Sequence, residues 1–137
     1  MASRPRGARR GTRQRALVLA AVRASGVEHP TADRVFARVR ADLPRVSLGT
    51  VYRNLQRLVA EGAIGVAQIA DRAARYDPTP TPHDHFVCDR CGRVDDLATE
   101  DASARVAAAL RAGHAVRAHA LIVYGDCRRC RGEERPA

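Results

Sequence analysis

LPRVSLGTVYRNL, residues 43–55, contains the end of one helical pattern, a short turn and the beginning of another helix. Pro44 cannot continue the first helix, and Ser47 is a favoured N-cap residue for the second. After Ser47 the apolar residues recur at helical spacing: Leu48, Val51, Leu55, Leu58 and Val59. Gly62 lies where this helix is expected to end. The stretch therefore predicts two helices joined by a turn of only residues 44–46.

Two helices joined in this way are typical of a helix-turn-helix, in which the second helix enters the DNA major groove. The outward face of that helix carries hydroxyl, phenol and guanidinium groups at Thr50, Tyr52, Arg53 and Arg57. Such groups contact phosphates and base edges, so these four residues are candidate DNA contacts. The alternative is an ordinary solvated helix face.

Two helices are predicted before this motif. Thr12 is a candidate N-cap for a helix that runs to about Ser25 and ends at the following glycine. Thr31 is a candidate N-cap for a helix that continues to Pro44.

The rest of the chain alternates short strand patterns with one helix. Residues 63–77 predict a β-hairpin, so residues 1–77 fit a winged-helix DNA-binding domain. Residues 78–82 contain three prolines and predict a stiff linker. Residues 83–137 predict a small α/β dimerisation and metal-binding domain, with strands near 85–88, 93–97 and 118–124 and a helix at 99–112 whose inward residues include Leu110. The predicted fold class is α+β.

Charge is distributed unevenly along the chain, whose net charge is +9. Residues 1–60 contain 13 Arg and 3 acidic residues, whereas residues 61–137 contain 11 Arg and 12 acidic residues. This asymmetry favours a polyanionic partner for the first half, since each neutralised phosphate releases counterions. A solvated basic tail would account for residues 1–10 alone. No apolar run approaches the ~20 residues of a membrane span, so we expect a soluble, cytoplasmic protein.

All four cysteines occur in two Cys-x-x-Cys pairs, Cys88/Cys91 and Cys127/Cys130. A two-residue gap lets one turn present two thiolates to a tetrahedral zinc ion. Two disulfides or a redox dithiol are the alternatives. Disulfides require an oxidising compartment, for which the arginine-rich N-terminus gives no signal, and a redox motif does not require a second copy. Structural zinc is therefore favoured.

A second group of candidate ligands surrounds His83-Asp84-His85. In a strand, residues two apart share a face, so His83 and His85 can hold one ion while Asp84 points away. Three further candidates lie elsewhere in the chain: Asp77, Asp96 and His29. A lone histidine at a helix start is more often a cap or surface residue. Mixed imidazole and carboxylate ligands suit Fe(II), Mn(II) or Zn(II), and the oxygens favour the first two.

Four motifs occur in an order that closely resembles the ferric uptake regulator (Fur) family: HPTAD at 29–33, SLGTVYRNL at 47–55, HDHFVCDRCG at 83–92 and YGDC at 124–127. The resemblance runs from about Arg10 to Cys130. It implies a dimeric, metal-activated bacterial repressor with a winged-helix domain followed by a dimerisation domain.

The resemblance also implies roles for individual residues. The four cysteines would hold structural zinc, and a regulatory Fe(II) or Mn(II) would bridge the two domains through His29, Asp77, His83, His85 and Asp96. DNA contacts are implied at Tyr52 and Arg53, and at Arg10 just before the first helix as a minor-groove contact. A further metal site of the family is incomplete: Asp84 and His119 match it, but Pro82 occupies its leading position. We do not expect metal there.

Two carboxylates indicate the subtype. Iron-sensing members commonly carry glutamate where Asp77 and Asp96 stand, whereas peroxide-sensing members resemble this chain in having aspartate at both. In those relatives hydrogen peroxide oxidises the ligand histidines, here His29 and His83, and the ion and the DNA are then released.

The resulting hypothesis is a homodimeric, metal-dependent repressor of operator DNA that senses peroxide. An iron-uptake or zinc-uptake repressor without peroxide chemistry is the alternative within the family. A metal-dependent hydrolase is a weaker alternative, because five candidate ligands leave little room for an open coordination position. A zinc-stabilised interaction module that does not bind DNA is opposed by the basic helix-turn-helix.

Overall fold

The computed structural model describes residues 6–98 and 103–132, and the chain divides into two compact units between Pro80 and Thr81. The first unit contains α1 (Arg6–Ala24), a 3-10 turn (Gly26–Glu28), α2 (Ala32–Val39), α3 (Leu48–Ala60), β1 (Gly65–Ala67) and β2 (Arg75–Asp77). The second contains β3 (Asp84–Cys88), β4 (Val94–Leu97), α4 (Ser103–Arg111) and β5 (Ile122–Gly125). The fold class is α+β, as predicted. Within the described residues, no helix has the length and apolar content needed to cross a bilayer.

Three helices enclose the core of the first unit. Their buried apolar residues pack with Ile64 and Tyr76 and include Val18, Val22, Val35, Val39, Val51, Leu55 and Leu58. These positions are the inward stripes that helical spacing predicts. Burying each large aliphatic side chain contributes about 1.5–3 kcal/mol, which fixes α3 against α1 and α2 and leaves its other face exposed.

Of the three helix starts predicted for the first unit, two are confirmed. The Thr31 hydroxyl accepts a hydrogen bond from the Arg34 backbone N–H, and the Ser47 hydroxyl accepts one from Thr50. The prediction for Thr12 is wrong, because α1 begins earlier, at Arg6. Thr12 lies inside α1, where its hydroxyl donates to the Ala8 carbonyl at 2.9 Å.

The connection between α2 and α3 is longer than predicted. Helix α2 ends at Val39, and residues 40–47 form turns before α3. Leu43 no longer belongs to the helix but still packs against the core. Proline disfavours helical geometry at the residue before it, which accounts for Leu43 lying outside the helix but not for an end as early as Val39.

Strands β1 and β2 form the predicted hairpin, the wing. They pair antiparallel, with Gly65 opposite Asp77. A Cβ at Gly65 would lie 2.8 Å from the Thr79 carbonyl oxygen, which is closer than real Cβ contacts allow. Glycine therefore lets the chain after Asp77 pass directly over β1.

The second unit is built on a three-stranded sheet of order β4-β3-β5. Strand β3 pairs antiparallel with β4 and parallel with β5, and its residue His85 lies between Asp96 and Ile122. The third strand was predicted to begin at residue 118, but it begins at Ile122. Residues 118–121 are exposed and form no regular strand.

Helix α4 does not bury the face that was predicted to be inward. Leu110 is 56% exposed, and Val106 is only half-buried. The predicted start at residue 99 lies outside the described residues. Other large apolar side chains of this unit are also exposed: Val116, Leu121, Val123 and Tyr124. One copy of the unit therefore leaves apolar surface uncovered.

Candidate metal centres and nucleic-acid interface

The four cysteines converge because β3 and β5 are neighbouring parallel strands. Parallel strands end at the same edge of a sheet, so the turns that follow them lie side by side. Each cysteine has a sulfur within 4.8 Å of the others, and Cys91 Sγ lies 3.8 Å from Cys127 Sγ. All four are free thiols. The predicted pairs thus form one cluster with the donor set of a tetrahedral zinc site.

Hydrogen bonds within the cluster lower the pKa of two cysteines and raise that of a third. Hydrogen bonds from the backbone of Cys91 and Cys127 lower the pKa of Cys88 to about 6. The backbone N–H of Arg93 likewise lowers the pKa of Cys91. Hydrogen bonding with the Cys127 side chain raises the pKa of Cys130 to about 12. Because the thiolate is the metal ligand, the lowered pKa values of Cys88 and Cys91 favour the metal-binding form of these two side chains.

The first unit holds His29 and Asp77 as a buried pair. Their side chains are 1% and 3% exposed, and His29 Nε2 lies 3.0 Å from Asp77 Oδ2. His29 has a left-handed backbone conformation with φ of 49°, which costs about 1–2 kcal/mol for a residue with a Cβ. This conformation ends the 3-10 turn and directs the ring towards β2, where Asp77 is the last residue.

The remaining polar atoms of this pair are also held. His29 Nδ1 lies 2.7 Å from the Val27 carbonyl oxygen. Asp77 Oδ1 accepts the Thr79 backbone N–H at 2.8 Å. Each side chain therefore has one polar atom fixed by the backbone and presents the other to its partner.

The second unit groups His83, His85 and Asp96. His83 Nε2 lies 2.8 Å from Asp96 Oδ1, and His85 Nε2 lies 3.3 Å from the same oxygen. The two imidazole rings are 4.3 Å apart. His83 Nδ1 lies 2.8 Å from the Thr81 carbonyl oxygen. The pleat of β3 and the pairing of His85 with Asp96 across β4 produce this arrangement.

His29 and His83 share a pattern that requires a second proton or a metal ion. A carbonyl oxygen only accepts hydrogen bonds, so Nδ1 must carry the proton in both rings. In a neutral imidazole Nε2 then carries a lone pair and can only accept a hydrogen bond. In both residues, however, it faces a carboxylate oxygen, which is also an acceptor. Either a second proton or a metal ion must balance this charge. A backbone carbonyl that fixes Nδ1–H and frees Nε2 is the usual outer contact of a metal-bound histidine.

The five predicted ligands thus form two groups, one in each unit: His29 with Asp77, and His83 with His85 and Asp96. Both groups fit an ion that takes imidazole nitrogen and carboxylate oxygen, such as Fe(II), Mn(II) or Zn(II).

Asp84, which lies between the two histidines in sequence, accepts hydrogen bonds from other protein groups. It is 4% exposed, its Oδ1 accepts the Leu121 backbone N–H at 2.6 Å, and its Oδ2 accepts Arg105 Nη2 at 3.4 Å. A guanidinium therefore neutralises the carboxylate that the incomplete further site would need. His119 is exposed. The absence of metal at Asp84 and His119 stays a prediction.

The exposed face of α3 carries the predicted DNA contacts. Arg53 and Arg57 are exposed, and Tyr52 is 39% exposed. Thr50 is half-buried, and its hydroxyl accepts Arg53 Nη2 at 3.0 Å. Because Ser47 caps the helix through Thr50, this contact holds the Arg53 guanidinium at the start of α3, where recognition helices meet base edges.

Two features of this interface were not predicted. Glu61 Oε1 lies 3.1 Å from Arg57 Nε and 3.2 Å from Arg15 Nη1, so Arg57 is partly neutralised. Arg10 lies within α1 rather than before it, and it is exposed. The spacing of Arg57 and Glu61, four residues apart in a helix, was a usable signal for their pair.

Arg75 was also missed. Its side chain donates to the carbonyl oxygens of His29 and Glu28, the latter at 3.2 Å. Sequence gave no signal for this contact, because the partners are backbone atoms that lie 46 and 47 residues away.

Comparison with known proteins gives a consistent result. The sequence profile of the "Ferric uptake regulator family" matches residues 7–124 of this chain. A peroxide operon regulator of Bacillus subtilis is 31% identical over 116 residues, which cover 80% of this chain and 77% of that protein.

Solved structures agree. A peroxide stress regulator of Campylobacter jejuni matches with a TM-score of 0.72 and 30% identity, covering 88% of this chain and 91% of that one. A zinc uptake regulator in complex with zinc and DNA matches with a TM-score of 0.68 and 25% identity, covering 88% and 83%.

Proposed function

Because the chain belongs to the ferric uptake regulator family, we propose that it is a metal-dependent transcriptional repressor of the peroxide-sensing type. It binds operator DNA as a homodimer in the cytoplasm and is a regulator, not an enzyme. The observation that carries the proposal is the pair of histidines whose Nε2 atoms face carboxylates, His29 towards Asp77 and His83 towards Asp96.

We propose that all five ligands hold one regulatory ion. Only residues 78–82 separate Asp77 from His83. At no more than ~3.6 Å per residue, a segment of this length keeps the two groups within about 20 Å of each other along the chain. The prolines restrict it further. Nitrogen and oxygen donors in this number favour Fe(II) or Mn(II), whereas the four cysteines are the zinc site.

The ligands couple metal to DNA through the two units. His29 and Asp77 belong to the unit that contains α3, and the other three ligands belong to the unit with the exposed apolar surface. Shared ligation selects one orientation of α3 relative to the dimerisation half. By linkage, the operator must then raise metal affinity by the same factor as metal raises operator affinity.

Dimerisation has its own support. The second unit leaves Leu110, Val123 and Tyr124 exposed, and a second copy is the partner that would cover them. Two copies present two α3 helices, which suits an operator with two half-sites.

Peroxide sensing is supported by the aspartates at 77 and 96 and by the peroxide regulators that the chain resembles. Bound Fe(II) supplies the activation of hydrogen peroxide. In the net reaction one peroxide oxygen is added to an imidazole carbon of a ligand histidine, and the other leaves as water. An oxidised His29 or His83 binds metal less well, so the coupling to DNA is lost.

The test uses a DNA duplex selected from random sequence with the Mn(II)-loaded protein. At fixed salt, adding Mn(II) or Fe(II) must raise the affinity for this duplex; unchanged affinity would overturn metal-dependent repression. The Fe(II) protein is then prepared without oxygen and treated with hydrogen peroxide. A mass gain of one oxygen atom on the peptides containing His29 or His83 supports peroxide sensing. Unmodified histidines together with metal-dependent DNA binding indicate a metal-uptake repressor instead.

A further inference from the structure

Strand β2 binds the backbone of the loop that carries His29. Arg75 Nε donates to the His29 carbonyl oxygen, and Arg75 Nη2 donates to the Glu28 carbonyl oxygen at 3.2 Å. The next residue, Tyr76, donates its backbone N–H to the Pro30 carbonyl oxygen at 2.9 Å. Three consecutive carbonyl oxygens of the loop therefore accept hydrogen bonds from two consecutive residues of the wing.

This loop needs to be held. His29 is one of two non-glycine residues with positive φ among the described residues, and it lies between the 3-10 turn and α2. A residue with a Cβ disfavours this conformation, so a loop released from β2 has other backbone conformations available. Because φ and ψ set the direction of the Cα–Cβ bond, the present conformation of residue 29 is the one that brings its imidazole to Asp77.

The Arg75 guanidinium is suited to holding the backbone of this loop. It is planar and has several fixed donors, so one side chain contacts two neighbouring carbonyl oxygens at once. The Arg75 side chain is half-buried, and its bond to the His29 carbonyl oxygen is partly shielded from water. Lysine has a single ammonium on a flexible stem and would hold the loop less well.

We propose that Arg75 is a positioning residue of the regulatory metal site: it fixes the loop at residues 28–30 so that His29 Nε2 meets Asp77. It also ties the ligand pair to the wing, because Arg75 and Asp77 belong to the same strand. The inference rests on the proposed function in one respect, which is that His29 and Asp77 bind the regulatory ion.

The test compares Arg75→Met with Arg75→Lys and with Arg72→Met. Arg72→Met removes the same charge from an exposed position in the same hairpin. Mn(II) affinity is measured by isothermal titration calorimetry on zinc-loaded protein. Loss of a contact that orients a metal-bound histidine lowers metal affinity ~10–100-fold, so we expect a loss in this range for Arg75→Met. Arg75→Lys should fall between Arg75→Met and the wild type, and Arg72→Met should match the wild type.

Two further readouts separate positioning from general damage. Operator affinity at saturating Mn(II) should return to within a few-fold of wild type in Arg75→Met, because excess metal restores the ligand conformation. In the protein without Mn(II), the amide hydrogen of Tyr76 should exchange faster in Arg75→Met and not in Arg72→Met, because its bond to the Pro30 carbonyl is released.

Unchanged Mn(II) affinity in Arg75→Met would overturn the inference. So would an equal loss in Arg72→Met, which would indicate a charge effect, or operator binding that saturating Mn(II) does not restore, which would indicate damage to the fold. Failure of the proposed function has a different signature: the wild-type protein itself would show no Mn(II)-dependent operator binding.

Discussion

His29 Nε2 lies 3.0 Å from Asp77 Oδ2, and both side chains are almost completely buried. The other ring nitrogen of His29 is committed to the Val27 carbonyl oxygen, and the other carboxylate oxygen is committed to the Thr79 backbone N–H. A buried lone pair and a buried negative charge facing each other are costly unless a proton or a metal ion lies between them. The pair is therefore completed by a second proton or by a metal ion.

His29→Ala should remove the coupling between metal and DNA. Loss of a ligand costs at least as much as loss of its outer contact, so Mn(II) affinity should fall ~100-fold or more. Operator affinity should then no longer respond to Mn(II) at concentrations that saturate the wild type. Calorimetry and a DNA-binding titration measure the two effects. His114→Ala is the matched control, because His114 is an exposed histidine in the loop that follows α4. An unchanged Mn(II) response in His29→Ala would exclude this residue as a ligand.

Asp96→Glu should separate metal binding from peroxide chemistry. Asp96 is 48% exposed, so an added methylene has room there, whereas Asp77 is enclosed. The longer carboxylate changes the distance and the mode of coordination around iron while keeping the oxygen donor. We expect Mn(II)-dependent operator binding to remain within a few-fold of wild type and histidine oxidation to fall several-fold. Mass spectrometry of peptides after a fixed peroxide dose measures the oxidation; equal oxidation in both proteins would show that this carboxylate does not decide reactivity.

Two threonines of the first unit should differ in their effect on stability. Thr31 caps α2 through its side chain, so Thr31→Ala should lower the free energy of unfolding by about 1 kcal/mol. Thr12 lies inside α1, where its hydroxyl donates only to the Ala8 carbonyl oxygen of the same helix. Thr12→Ala should therefore change the free energy of unfolding by less than about 0.5 kcal/mol. Urea denaturation with a constant m-value measures both. A larger loss at Thr12 would mean that α1 begins there in solution.

The reduced, zinc-free protein should show ordered cysteine reactivity. The thiolate is the nucleophile, so at pH 7 a lowered pKa raises the reactive fraction and a raised pKa reduces it. Cys91 is exposed with a lowered pKa and should be alkylated first, whereas Cys130, with a pKa raised to about 12, should be last. Cys88 has a pKa of about 6, but it is buried, and burial slows its alkylation. Peptide mass spectrometry follows the order, and zinc should protect all four. Equal rates in the zinc-free protein would indicate an unfolded cluster.

Local signals were sufficient for some elements and not for others. The start of α3 was predicted because Ser47 caps it and its apolar residues keep one spacing, and both are properties of neighbouring residues. The start of α1 was not predicted, because Gly7 and Gly11 are poor helix formers and Thr12 has the side chain of an N-cap residue, yet all three lie inside the helix. Leu110 has the spacing of an inward residue, but burial depends on a partner surface, which spacing does not contain.

The candidate sites show the same division. Ligand types at His83, His85 and the cysteines were visible because strand and turn geometry relate residues two or three apart. His29 and Asp77 were only candidate ligands from the residues, and their assignment to one site came from the family resemblance, because they lie 48 positions apart in the chain. The role of Arg75 was invisible, because its partners are backbone carbonyls that any sequence possesses.

Arg53 and Arg57 should contribute to DNA binding in different ways. The Thr50 hydroxyl holds Arg53 near the start of α3, where base edges are read, whereas Arg57 lies one turn later beside Glu61. Arg53→Ala should therefore cost about 1–3 kcal/mol on the selected duplex, with less loss on unrelated DNA. Arg57→Ala should weaken both duplexes equally and lower the slope of log affinity against log salt by about 1, as expected for a phosphate contact. Fluorescence anisotropy at several salt concentrations with saturating Mn(II) measures both, and Arg111→Ala is a control at an exposed position of the second unit. If Arg53→Ala weakened both duplexes equally, Arg53 would be a phosphate contact, and sequence recognition would have to come from Tyr52 or from the shape of the DNA.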